Sequence, residues 1–108
     1  MVLSFADWKK NDIRVGLIET VEEVLGKDKL FKLNVNFGTE VKTVVSGIKP
    51  FYSTDELKGK KVAFIYNLEP ALIAGIQSQA MILGVLNSEG KYKLLFVDDS
   101  VKEGTMVE

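Results

Sequence analysis

No cysteine and no histidine occur in these 108 residues. Together these absences exclude disulfides, thiolate and imidazole metal sites, a cysteine nucleophile and any serine–histidine relay. Carboxylates, lysines and tyrosines remain for proton transfer, but no glycine-rich phosphate motif accompanies them. A catalytic role, a cofactor and a resident metal are therefore not expected. Long apolar runs are missing too, and none approaches the roughly 20 residues that a membrane helix needs. The opening MVLSFADWKKND is too short in its apolar part, and too charged afterwards, to act as a signal peptide. The cytoplasm is the default location. With 46% hydrophobic residues the chain can bury a modest core, and its length suits one domain spanning residues 1–108. The expectation is a binding module.

Net charge is only -1, which at first argues against a nucleic-acid partner. The distribution changes that picture. Residues 27 to 61 hold eight lysines against four carboxylates, a local +4, so the remaining residues carry -5. Asp98, Asp99, Glu103 and Glu108 make the C-terminal end acidic. A lysine face can be merely a solvated strand surface, or it can be an electrostatic footprint for a polyanion.

The pattern along the chain is that of a small β protein. Ser4 followed by Asp7 resembles a capping box and predicts a short helix over about 4–11, with Phe5 and Trp8 on one face. Ile13, Val15 and Leu17 alternate, then the phase slips at Ile18, which predicts a long strand bent or bulged near Gly16. Phe31, Leu33, Val35 and Phe37 alternate with Lys32, Asn34 and Asn36, the clearest strand in the chain. Gly38 to Glu40 read as a hairpin loop, with Val41, Thr43 and Val45 alternating in the return strand. Ser53 and Glu56 form a second capping box, predicting a helix over 53–58 closed by Gly59. Further strands are predicted at 62–68, 81–86 and 92–97. The order suits an all-β, five-stranded Greek-key barrel of the OB type over about 12–97, with a tail over 98–108.

Five segments fall in a familiar order and spacing: DIRVG at 12–16, DKLFKLNVNFG at 28–38, TVVSGI at 43–48, LKGKKV at 57–62, and NL-P through SQ-M at 67–81. In this the chain resembles the tRNA-binding domain family. That domain is attached to many methionyl-tRNA synthetases and also exists as free-standing dimeric tRNA-binding proteins and as the CsaA chaperone. The resemblance implies recognition of tRNA shape, alone or in trans with an aminoacyl-tRNA synthetase, and a homodimer. The alternative it leaves open is a CsaA-like peptide-binding chaperone or protein-interaction module on the same fold.

Matched position by position, the resemblance implies an RNA-binding surface on Lys32, Ser46, Asn67, Ser78 and Met81. The lysine-rich face adds Lys42, and the 77–79 segment, read as a mobile loop after Gly75, adds Gln79. Each residue has a plainer reading: Ser78 can satisfy backbone groups in a turn, Met81 can fill core, and Asn67 can close a turn before Pro70. Where tRNA-binding members commonly carry basic residues after NL, this chain has Glu69, Pro70, Ala71 and Leu72, and Ala80 replaces a glycine. For the dimer interface the candidates are Phe5 and Trp8 with Val101 and Met106 of the tail.

Overall fold

A computed structural model describes all of residues 1–108. Its framework is one antiparallel sheet of five strands in the order β3-β2-β1-β4-β7. These are β1 (Ile13–Val24), β2 (Lys27–Asn36), β3 (Val41–Ser46), β4 (Lys61–Ile65) and β7 (Met81–Ile82). Two hairpins complete it: β5 (Ala71–Ile73) with β6 (Ile76–Ser78), and β8 (Gly84–Leu86) with β9 (Tyr92–Leu94). Two one-turn helices, α1 (Phe5–Trp8) and α2 (Thr54–Leu57), are attached. The sheet curls into an OB-type barrel around Ile18, Phe31, Leu33, Val35, Val44, Val62 and Phe64. Leu57, fully buried, joins this core from α2.

The long strand β1 serves two partners. Residues Ile13–Leu17 pair with β4, whereas Leu17–Val24 pair with β2. The edge of β1 that β2 leaves bare is taken by the tail: Val15 N donates to Thr105 O and Val107 N donates to Ile13 O. Lys61 holds the approach to that tail, because its ammonium donates to the carbonyls of Asp99 (2.8 Å) and Val101 (2.6 Å).

Several expectations shift. The first helix is shorter than predicted: Ser4 Oγ accepts from Asp7 N, but only one turn follows. The register slip in β1 lies between Ile18 and Thr20, not at Gly16. Gly16 answers to packing instead, since a Cβ there would sit 2.5 Å from Val35 Cγ1. The turn Leu25–Gly26, with Gly26 at φ +74°, starts β2 four residues earlier than its apolar alternation signals. In β3 the phase is one residue off the expectation. Val44 pairs with the core residue Leu33, while Thr43 and Val45 pair with Asn34 and Lys32 on the outer face. A one-residue change moves every side chain to the opposite face, so Lys42 and Ser46 leave the outer face and stand opposite Val35 and Phe31.

The second helix has the full reciprocal capping box. Ser53 Oγ accepts from Glu56 N, and Glu56 Oε1 accepts from Ser53 N. The predicted strand at 81–86 is broken at Leu83, where the chain leaves β4 and begins to pair with β9. Of the segment 77–79, expected as a mobile loop, Gln77 and Ser78 belong to the strand β6.

Candidate nucleic-acid interface

The outer face of β2 presents Lys32 and Asn34, whose side chains make no hydrogen bond or ion pair within the protein. Across the sheet they face Val45 and Thr43 on β3 and Glu22 and Thr20 on β1. Asn36, third in the row, is committed: its Oδ1 accepts from Gly38 N and its Nδ2 donates to Glu19. Free donors on this face are thus concentrated at positions 32 and 34.

Lys42 is placed differently. Its side chain is 16% exposed. The ammonium donates to Tyr66 O at 3.0 Å, lies 3.6 Å from the Tyr66 ring centroid and stands 3.6 Å from Glu40. Arg14 also lies over that ring, at 4.0 Å, and is gripped by both carboxylate oxygens of Asp12 at 2.8 and 2.9 Å. The Tyr66 hydroxyl donates to Glu40 at 2.6 Å. This bond holds the Glu40 carboxyl below its usual value and pushes the Tyr66 phenol up. The Asp12 bond likewise raises Arg14. The five residues form a closed electrostatic knot at one end of the barrel, with Phe37 edge-on to Tyr66 at 5.0 Å. Strand alternation through Val62 and Phe64 could have pointed to Tyr66, but nothing local signals its cations.

Asn67 is exposed, yet both ends of its amide are occupied. Oδ1 accepts from Asp12 N at 3.0 Å and Nδ2 donates to Lys10 O at 2.7 Å, which fastens the exit of α1 to the end of β4.

Ser78 and Gln79 close the barrel. The open edge of β3 meets residues 78–80 without a regular ladder, and side chains supply the missing bonds. Ser78 is buried, and its Oγ accepts from Val45 N at 2.9 Å and donates to Ala80 O. Gln79 Oε1 accepts from Thr43 N while its own N–H donates to Thr43 O, both at 2.8 Å. The hydroxyl and amide between two apolar runs therefore satisfy a strand edge.

Beside this seam lies a cavity of about 150 Å³. Ser46, Ser78 and Met81 meet there with Leu68, Glu69 and Ala71. Lys42 and Asn67 lie outside it, whereas Lys32 stands next to its wall, opposite Val45 in register. Glu69, the one charged residue in the lining, has no ion-pair partner. No group of carboxylates is arranged to hold a metal ion.

At the other candidate surface, Phe5 is 72% exposed and Trp8 and Met106 are exposed as well. Met106 bridges to Arg14 at the end of β1 where α1 enters. Val101 is half-buried, with its carbonyl on Lys61.

The fold is thus a five-stranded barrel with a polar outer face on its second strand. Residues 13–106 match the profile of the family described as "Putative tRNA binding domain", and the chain belongs to that family. Among curated relatives, it is 41% identical over 105 residues to a methionine–tRNA ligase of Caldanaerobacter subterraneus subsp. tengcongensis. That match takes in 97% of this chain but 16% of the ligase, so the chain spans about one sixth of the relative's length. Among solved structures, a MetRS-related protein from Pyrococcus horikoshii aligns at TM-score 0.94 with 34% identity, over 100% of this chain and 99% of the other. The chaperone CsaA from Bacillus anthracis aligns over the whole of both chains at TM-score 0.88 and 25% identity.

Proposed function

We propose that this chain is a tRNA-binding module that recognises tRNA by shape, in the cytoplasm, free-standing or in trans with an aminoacyl-tRNA synthetase of the methionyl type. The observation that carries the reading is the uncommitted Lys32–Asn34 pair, beside the cavity that gathers Ser46, Ser78 and Met81, on a barrel of this family. Lys32 neutralises a phosphate, and the cavity admits a neighbouring apolar edge of the RNA. The role is binding without catalysis. Ser78 and Gln79 contribute by holding the cavity wall in place, since their side-chain oxygens are engaged with β3. Filter binding of tRNA across a salt series tests the reading. Micromolar or tighter binding that weakens as salt rises supports it, and no binding at low salt refutes it.

The second reading, a CsaA-like peptide-binding module, draws on Leu72, 73% exposed, and on the apolar cavity lining with Glu69 as its only charge. Such a surface suits an apolar segment carrying a basic residue. Binding of a denatured protein that salt does not weaken, with no binding of tRNA, would put this reading first.

The module is further proposed to act as a homodimer through Phe5, Trp8 and Met106, whose exposed apolar surface lies around one end of β1. Sedimentation at high micromolar concentration should give twice the 12.0 kDa chain mass. A monomer mass would remove the proposal.

A further inference from the structure

Ser46, in the wall of the cavity beside the β3 seam, is shared with a neighbour. A second cavity, of about 250 Å³, begins at the same residue and is lined by Ser46, Gly47, Ile48, Phe51, Leu86 and Tyr92. The two share Ser46 in their linings, the first reaching the β5–β6 hairpin at Ala71, Ile73 and Ser78 and the second reaching the β8–β9 hairpin at Leu86 and Tyr92. The far end is aromatic. Phe51 is 40% exposed, and its ring centroid lies 6.2 Å from that of Tyr92 at an interplanar angle of 46°. The two rings form an open wedge and do not stack on each other. Tyr92 is held rigidly: its ring lies against the backbone of Gly84, where a Cβ would come within 2.5 Å of Cζ. A ring fixed in this way loses little freedom when a ligand covers it.

The polar groups around the wedge are unengaged. The hydroxyls of Ser46 and Tyr92 make no hydrogen bond within the protein, and the Gly47 N–H donates to no backbone or side-chain acceptor. Burial keeps the Tyr92 phenol above its ordinary value, so near neutral pH it remains a donor. An apolar peptide side chain seated here would leave these donors unmatched. A nucleobase matches all of them: a flat ring for the wedge, and heteroatoms on the ring edge for the hydroxyls and the N–H.

We infer that the Phe51–Tyr92 cavity is a subsite for one unstacked nucleobase of the bound RNA, adjoining at Ser46 the cavity that Lys32 stands beside. This rests on the tRNA-binding reading and adds to it a contact made by stacking, where Lys32 acts by charge. The two contacts therefore separate in a salt series. Stacking on an aromatic side chain is worth a factor of about 5 to 100 in affinity and releases no counterions.

The test is filter binding of tRNA to the wild type, Phe51→Leu, Phe51→Tyr, Tyr92→Phe and Lys32→Ala over a salt series, with sedimentation of each. Phe51→Leu should weaken binding by about 5- to 100-fold at every salt concentration and leave the logarithmic salt slope unchanged. Phe51→Tyr keeps the ring and should bind as the wild type does, whereas Tyr92→Phe keeps the ring but loses the donating hydroxyl and should bind about 2- to 10-fold more weakly with the slope unchanged. Lys32→Ala should flatten the slope. Wild-type affinity in Phe51→Leu, beside a flattened slope in Lys32→Ala, overturns the subsite and leaves the tRNA reading in place. Wild type that binds no tRNA overturns both. A change of mass in Phe51→Leu means that the rings lie between copies of the chain, and overturns the subsite as well.

Discussion

Lys32 and Lys42 stand on neighbouring strands, ten residues apart, and have opposite circumstances. Lys32 points outward from the middle of β2 with no partner. Lys42 lies at the end of β3 with a carbonyl, an aromatic face and a carboxylate around its ammonium. The amides repeat the contrast: Asn34 is free, whereas Gln79 stands in for a missing strand ladder. A charge count over residues 27–61 treats these groups alike, and so overstates what a polyanion would meet. Committed polar groups contribute to stability, and free ones remain for a ligand.

Substitutions should break the comparison in order of how much each group holds. Tyr66→Leu removes the ring under two cations along with the hydroxyl on Glu40. We expect a loss of about 2–3 kcal/mol in urea unfolding, in the range for truncating a large aromatic at a packed site. Ser78→Ala leaves the buried Val45 N–H without an acceptor and should cost about 1–3 kcal/mol, with a matching fall in the thermal midpoint. An unchanged midpoint would mean that a water or a shifted neighbour closes the seam equally well.

Changing pH sharpens the same contrast. The Tyr66 hydroxyl holds the Glu40 carboxyl low, so that contribution is present above the ordinary carboxylate range and is lost as pH falls through the lowered value. Tyr66 is held high by Glu40, so its contribution is complete below the ordinary tyrosine value and is lost as pH rises through the raised one. Stability followed against pH should fall at both extremes. Tyr66→Phe should abolish the alkaline loss attributable to this residue and shrink the acid one. Identical profiles for the two proteins would show that the knot carries no proton linkage.

Much of the barrel was legible in the sequence, because β2 alternates cleanly from Phe31 to Phe37 and Ser53 with Glu56 marks α2 unambiguously. The phase of β3 was not, since Val44 and Val45 are both apolar and either could face inward. Only pairing with Leu33 and Lys32 decides it. The hairpin at 71–78 was missed because Ala74, at φ +51°, occupies a turn position where asparagine or glycine is the usual signal. The candidate site was legible as a set of positions but not as a division of roles. Ser78 and Gln79 meet β3 across 33 and 36 residues of chain, and Lys42 meets Tyr66 across 24. No local pattern carries contacts at that range.

The smallest expected effect on stability belongs to Lys32→Ala, within about 0.5 kcal/mol, because the side chain touches no partner. The same substitution tests the account most directly when its salt dependence of tRNA binding is measured beside that of Lys42→Ala. Lys32→Ala should lower the logarithmic salt slope by up to about one unit, as expected for one lost phosphate contact. Lys42→Ala should keep the wild-type slope and instead unfold at lower urea. A flattened slope in Lys42→Ala with none in Lys32→Ala would contradict the division between free and committed cations.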